Sequence, residues 1–166
     1  MNAKTLCASL PHFERKCFAI MIISFAFVCK GFAQDTASLI IIRNIPIVLG
    51  AINNKPAYFL IDTGASFTML NESLGGTYKF KVVKNMYFAR GEIVGMGGKS
   101  FIKEVKTVRL TLGIHELKFI NKASDLGRIS EQFADFDIII AGIIGSDVLH
   151  ALGSKIDLES GIIVFK

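Results

Sequence analysis

The chain has 166 residues, 51% of them hydrophobic, and a formal net charge of +5. All three cysteines lie in the first 29 residues, and from residue 34 onward 15 basic and 13 acidic residues leave a net charge of +2. Those later residues offer no disulfide, no thiolate nucleophile and no basic surface for nucleic acid, and about 133 residues make one domain with room for its own core.

Lys4, Arg15 and Lys16 stand before an apolar run from Cys17 to Val28, and small residues follow at Gly31 and Ala33. This pattern predicts a signal peptide over 1–33, cut after Ala33. The protein is then expected to be exported, to a periplasm or to the exterior, as a single domain over 34–166. A permanent membrane anchor is the weaker reading, because the run is well short of the ~20 residues that a spanning helix needs. Val28 before Cys29 is too large for a lipoprotein signature.

Beyond the leader the pattern is β. Ser38 to Ile42 and Ile45 to Leu49 read as branched-aliphatic strands, with Pro46 marking an edge or an irregular start. Asn53-Asn54-Lys55-Pro56 reads as a turn, and Ala57 to Ile61 returns as an apolar strand. That strand runs into Asp62-Thr63-Gly64-Ala65-Ser66. A carboxylate at the end of a buried strand is poorly solvated, so it needs hydrogen-bond partners or a second carboxyl to share a proton with. Gly64 allows a sharp turn and close approach, Ala65 adds little bulk, and Thr63 and Ser66 bring hydroxyls that donate and accept. Such a loop holds a carboxylate rigidly for acid–base chemistry; its plain counterpart is an Asp-Thr-Gly turn between two strands.

Leu60-Ile61-Asp62-Thr63-Gly64-Ala65-Ser66 resembles the active-site loop of the retropepsin-like aspartic proteases, the single-lobed group with retroviral and bacterial members. Two later stretches test that resemblance. Before them, Asn71-Glu72-Ser73-Leu74 reads as one helical turn capped by Asn71 and ended by Gly75-Gly76, and 78–88 as a half-exposed strand. Then Gly95, Met96, Gly97 and Gly98 fall between two β-patterned runs, which predicts a hairpin tip able to bend over a cleft. With Phe101-Ile102-Lys103 after it, this stretch is similar to the family's glycine-rich flap. An ordinary glycine-rich hairpin is the alternative; the Walker spacing of a phosphate loop is lacking.

Val105, Val108, Leu110 and Leu112 continue the β pattern to a turn near Gly113, with Glu116 to Ile120 as the partner strand. Residues 121–135 are polar and weakly patterned, with a short helix expected around Ile129 to Phe133. His115 and His150 have no acidic or histidine partner at ligand spacing, which predicts structural or surface roles and no metal. Asp137 to Ile144 reads as a buried strand, and Ser146 or Asp147 is expected to cap a short helix that Gly153 ends. Ile143-Ile144-Gly145-Ser146-Asp147 resembles the family's second signature, in which a strand passes behind the Asp loop and a helix supports it. The resemblance implies structural support from Ser66, Gly145 and Asp147, with Asp147 a buried hydrogen-bonding strut rather than an acid. Lys155 to Phe165 reads as a hairpin ending in an apolar strand, a liability unless something pairs with it.

The fold these motifs imply is all-β: a small closed antiparallel β barrel of the retropepsin-like acid protease type, with one short C-terminal helix and a flap hairpin. The activity implied is hydrolysis of a peptide or protein substrate. Attack of water on an amide needs one group to take a proton and another to give one. Two carboxyls brought close cannot both ionise, so they share a proton, one serving as base and the other as acid. A single Asp-Thr-Gly in a chain too short for two lobes means that the second Asp62 comes from another copy. The active species is therefore expected to be a two-fold homodimer. The resemblance implies that Asp62, Thr63 and Gly64 form the catalytic loop, that Thr63 braces the two loops across the axis, and that Met96 and its glycines close over the peptide. No metal or organic cofactor is needed. The rival is a non-catalytic peptide-binding or dimerisation module of the same fold, which gains nothing from two buried carboxyls. A protease held latent until processed is a third reading.

Overall fold

The structure is a computed structural model, and it describes residues 35–83, 92–95, 98–117 and 119–166. Its strands are β1 (Thr36–Ile42), β2 (Ile45–Ile52), β3 (Lys55–Ile61), β4 (Met69–Asn71), β5 (Lys81–Val83), β6 (Glu92–Gly95) and β7 (Gly98–Phe101). Then follow β8 (Lys103–Lys106), β9 (Leu110–Leu112), β10 (His115–Leu117), β11 (Lys122–Ser124), β12 (Ile140–Ile144), β13 (Lys155–Asp157) and β14 (Ile162–Val164). The helices are short: α1 (Gly75–Tyr78), α2 (Gly127–Glu131) and α3 (Ser146–Ala151).

β1, β2 and β3 form a meander because their turns suit it. Arg43-Asn44 and Asn53-Asn54 all have positive φ, and two consecutive left-handed residues give a hairpin turn whose twist matches its strands. β2 pairs with β3 from Ile47 opposite Leu60 to Ile52 opposite Lys55. Pro46 lies just outside that ladder, opposite Ile41 of β1. β2 is thus an inner strand with an irregular start, and the proline's missing N–H falls where β3 no longer pairs.

β12 inserts between β3 and β4. It runs parallel to β3, with Ile144 opposite Ile61, and antiparallel to β4, with Gly142 opposite Leu70. All of its residues are buried, as its unbroken apolar sequence requires. A side chain at Gly142 could not fit, since a Cβ would sit 2.6 Å from the Met69 carbonyl oxygen. Val48, Phe59, Leu70, Leu110, Ile144 and Ile163, all fully buried, belong to the main core behind these strands.

The strands order as β13-β14-β1-β2-β3-β12-β4-β11-β8-β5, with β9 on β2 and β10 on β9, while β6 and β7 form a separate two-stranded sheet. The architecture is mostly β with short helices, but the expected closed antiparallel barrel is corrected in two respects. Among the described residues the hydrogen-bonded path is open, and both β12–β3 and β11–β4 are parallel pairs. Closure needs end strands long enough to meet with a common stagger, and β13 and β5 have three residues each.

Several local expectations also shift. Asn71 does cap the turn after β4, accepting the Ser73 N–H at 3.3 Å. The helix nevertheless continues through Gly75 and Gly76 to Tyr78 and stops at Lys79, φ 58. Gly75 serves close packing instead: a Cβ there would lie 3.1 Å from the Phe80 carbonyl oxygen, whose own N–H reaches the Gly75 carbonyl. The strand expected over 78–88 starts at Lys81, and its residues 84–88 lie outside the described residues. The polar stretch before α2 contains β11, paired parallel to β4.

Candidate active site

The Asp62 loop bridges two strands that both lean on β12. Asp62 leaves β3 with its N–H donated to the Ile144 carbonyl at 3.1 Å, and the Ala65 N–H closes a turn on the Asp62 carbonyl at 3.1 Å. Its carboxylate Oδ1 accepts the Gly64 N–H at 2.9 Å. Asp62 is half-buried, whereas Thr63, Gly64 and Ser66 are exposed. Gly64 does not have positive φ; what the glycine supplies is room, since a Cβ would lie 3.2 Å from Asp62 Oδ1.

Beneath the loop, β12 passes into α3 through Gly145. A Cβ on Gly145 would sit 2.6 Å from the Phe67 carbonyl carbon and 2.9 Å from the Ala65 carbonyl oxygen. Only a glycine lets the loop lie this close on the strand end. Ser146 fastens the contact, its N–H at 2.8 Å and its hydroxyl at 3.0 Å from the Ala65 carbonyl. Gly145, not Ser146 or Asp147, takes the N-cap position of α3. Ser146 and Asp147 lie inside the first turn because their side chains are committed to the loop. At the other end the expectation holds: Gly153, φ 54, follows the helix and the Ser154 N–H reaches back to the Leu149 carbonyl, the pattern of a glycine-terminated helix.

Asp147 is fully engaged. It accepts the Thr68 N–H on both oxygens at 2.9 Å, the Thr68 hydroxyl at 2.8 Å and the Val148 N–H at 2.7 Å. The residue as a whole is exposed, so it is a hydrogen-bonding strut at the surface, not a buried one. Thr68 is the member sequence reasoning missed. It is 2% exposed, and its hydroxyl also accepts the Gly145 N–H at 3.0 Å. The available signal was weak: a hydroxyl at the head of an apolar strand, six residues beyond Asp62.

Around the loop, Met69, Leu126 and Ile143 form a small buried cluster with Leu60, Ala65, Phe67 and Ile129 packed against it. The Lys122 ammonium stands 4.7 Å from the centre of the Phe67 ring, so a cation–π contact holds the loop's far side. The glycine-rich hairpin is present as β6 and β7, with Gly95 opposite Gly98; Met96 and Gly97 lie outside the described residues. Its stem is tied to the sheet where the Phe101 carbonyl accepts the Ser124 hydroxyl at 3.2 Å. One step later Lys103 meets Glu72 at 2.7 Å.

The two carboxylates are therefore placed for different work. Asp147 spends its lone pairs on four bonds to backbone and hydroxyl, while the half-buried Asp62 accepts one backbone N–H. His115, expected to be structural, faces Asp35 with Nε2 and Oδ2 2.9 Å apart. Among the described residues no group of three or more His, Cys, Asp or Glu could hold a metal ion.

The sequence model of a family described as aspartyl protease matches residues 48–148. No curated protein matches the chain. Solved structures similar to it include the EIAV protease complexed with the inhibitor HBY-793, 22% identical with a TM-score of 0.49, covering 70% of this chain and 95% of that one. A retropepsin-like aspartic protease from Rickettsia conorii is 17% identical with a TM-score of 0.46, over 80% of this chain and 89% of that one. The retroviral protease-like domain of Ddi1 from Leishmania major is 19% identical with a TM-score of 0.46, over 72% and 86%.

Proposed function

This chain belongs to the aspartyl protease family, and we propose that it hydrolyses peptide bonds with Asp62 as one half of a catalytic dyad. The observation that carries this reading is the contrast between its two loop carboxylates. Asp147 is consumed by structure, whereas Asp62 is held by one N–H and keeps capacity for a water or a second carboxyl. In a two-fold homodimer the partner's Asp62 supplies that second carboxyl. One carboxylate takes a proton from water as it attacks the scissile carbonyl, and the protonated one donates to the carbonyl oxygen. The tetrahedral species then collapses as the amine leaves with a proton.

In this reading Thr63 and Gly64 complete the loop, and the β6–β7 hairpin, with Gly95, Met96, Gly97 and Gly98 at its tip, covers the bound peptide. The leader directs export, and residues 34–166 work in a periplasm or outside the cell. Intact-mass analysis of exported protein should show a chain beginning at Gln34. The activity is tested by incubating the purified protein with a mixed peptide library from about pH 4 to 7, beside Asp62→Asn. New termini appearing only with the unsubstituted protein support the proposal. Peptide binding without cleavage would replace it by a non-catalytic module.

A further inference from the structure

We propose that Lys122 sets substrate specificity: its ammonium selects peptides that carry a glutamate or aspartate side chain at a fixed position near the scissile bond. The inference names a substrate class for the hydrolysis proposed above and rests on that reading, while the placement of the lysine rests on the sheet.

Successive residues of a strand point to opposite faces, and this puts Lys122 on the side of Asp62. Ile61, Leu70, Ala123 and Ile144 all belong to the main core. Their strand neighbours Leu60, Met69 and Ile143 lie instead in, or against, the small cluster around the loop. Asp62, next after Ile61, leaves β3 on the side of Leu60. Lys122, next to Ala123, leaves β11 on that side too. The Phe67 contact agrees, since Phe67 packs against the small cluster and the Lys122 ammonium stands 4.7 Å from its ring centre. This face therefore presents an apolar wall, the proposed reacting carboxylate and an ammonium.

The ammonium lacks the partner that its position calls for. Lys122 is half-buried, where a cation loses water and its N–H donors need acceptors. Among the described residues no carboxylate pairs with it. The neighbouring acids point elsewhere. Glu72 meets Lys103 at 2.7 Å, Glu104, directly opposite Lys122 on β8, reaches Lys106 at 4.0 Å, and Asp125 accepts the Gly127 N–H at 2.9 Å. The Phe67 ring attracts the cation through its face but offers no oxygen. A substrate carboxylate takes those donors in charge-assisted hydrogen bonds, beside an apolar wall that strengthens them. An amide of the same shape gains much less. In the two-fold dimer Lys122 occurs twice, so acidic residues are expected at two positions, one on each side of the cut.

Cleavage sites in the peptide library of the activity test locate those positions, and matched peptides with Glu or Gln there test the lysine. The unsubstituted protein should cleave the Glu peptide with kcat/KM roughly tenfold above that for the Gln peptide. Lys122→Met, which keeps an apolar stem against Phe67, should erase that ratio, and Lys122→Glu should turn the preference towards a Lys peptide. Capture of the same library on immobilised Asp62→Asn protein, with and without Lys122→Glu, reads the preference without hydrolysis. No acidic enrichment in either cleavage or capture, or a Glu-to-Gln ratio that survives Lys122→Met, would overturn the proposal. So would a loss shared equally by both peptides, the mark of a lysine that only props the loop. Acidic peptides captured only where Lys122 is present, by a protein whose unsubstituted form cleaves nothing, support the subsite and count against the protease reading. Cleavage that ignores Lys122 does the reverse.

Discussion

The Asp62 loop and the β6–β7 hairpin are both short connections containing glycine, yet they are secured in opposite ways. The loop is bound from beneath by residues far away in sequence: Ile144, Gly145, Ser146 and Asp147 all touch it. The hairpin pairs with itself, and its described ties lie at the stem, through Ser124 and through Lys103 with Glu72. Long-range hydrogen bonds fix a backbone; a unit lacking them opens at lower free energy. Acid–base chemistry needs a fixed carboxylate, and substrate entry needs a cover that can part. The difference between the two regions is the division of labour that the proposed reaction requires.

The comparison is broken most severely at Asp62 itself. Asp62→Asn should lower peptide turnover by roughly 10²- to 10⁴-fold while leaving the thermal midpoint nearly unchanged, measured by single-peptide kinetics and calorimetry. Next comes Gly145→Ala. Its methyl would meet Phe67 and Ala65 backbone, which cannot swing aside, so a loss of about 3 kcal/mol in urea unfolding is expected, with turnover falling in parallel. Thr68→Val keeps the shape but strands the Gly145 N–H and removes one donor to Asp147. A loss of about 2 kcal/mol should follow, and a stability unchanged by this variant would remove Thr68 from the scaffold.

Lys103→Met sharpens the other half of the comparison. It leaves Glu72 without its lysine at the hairpin stem, and a loss near 1 kcal/mol is expected for so partly buried a pair. If the stem positions the cover, KM should rise more than kcat falls. Equal changes in both would count against that role. The smallest effect is alkaline. Burial raises the Tyr78 phenol above its ordinary value, and its hydroxyl donates to the Pro56 carbonyl at 3.2 Å. A raised value means that the contribution is complete below the unfolded phenol's value of about 10 and is lost as pH rises through the folded one. Urea midpoints measured from neutral to strongly alkaline pH should fall less steeply for Tyr78→Phe.

Much of the site was legible in the residues. Asp62-Thr63-Gly64 at the end of an apolar strand, the glycines at 95 and 98, and Gly145 before a short helix announce their places because each obeys a local rule of burial, turn geometry or capping. The asparagine turn at 53–54 and the alternating strands followed from the same short-range physics. Thr68 did not, because a hydroxyl has no distinctive spacing and acquires its work only when Gly145 and Asp147 arrive from almost eighty residues away. The His115–Asp35 contact was hidden for the same reason.

What the sequence determined by itself was therefore the inventory: a β-rich chain, a carboxylate on a tight loop, and a glycine hairpin. What only the tertiary structure decided was the order of the strands. Nothing in the run Ile140–Ile144 says that it lies between β3 and β4, parallel to one and antiparallel to the other. Nor does Ile162–Val164 reveal that both of its edges are occupied, which moves the sheet's end to β13. Periodicity reports which side of a strand is buried. Which neighbour buries it depends on the free energy of the whole packed core, and that is not written in any one segment.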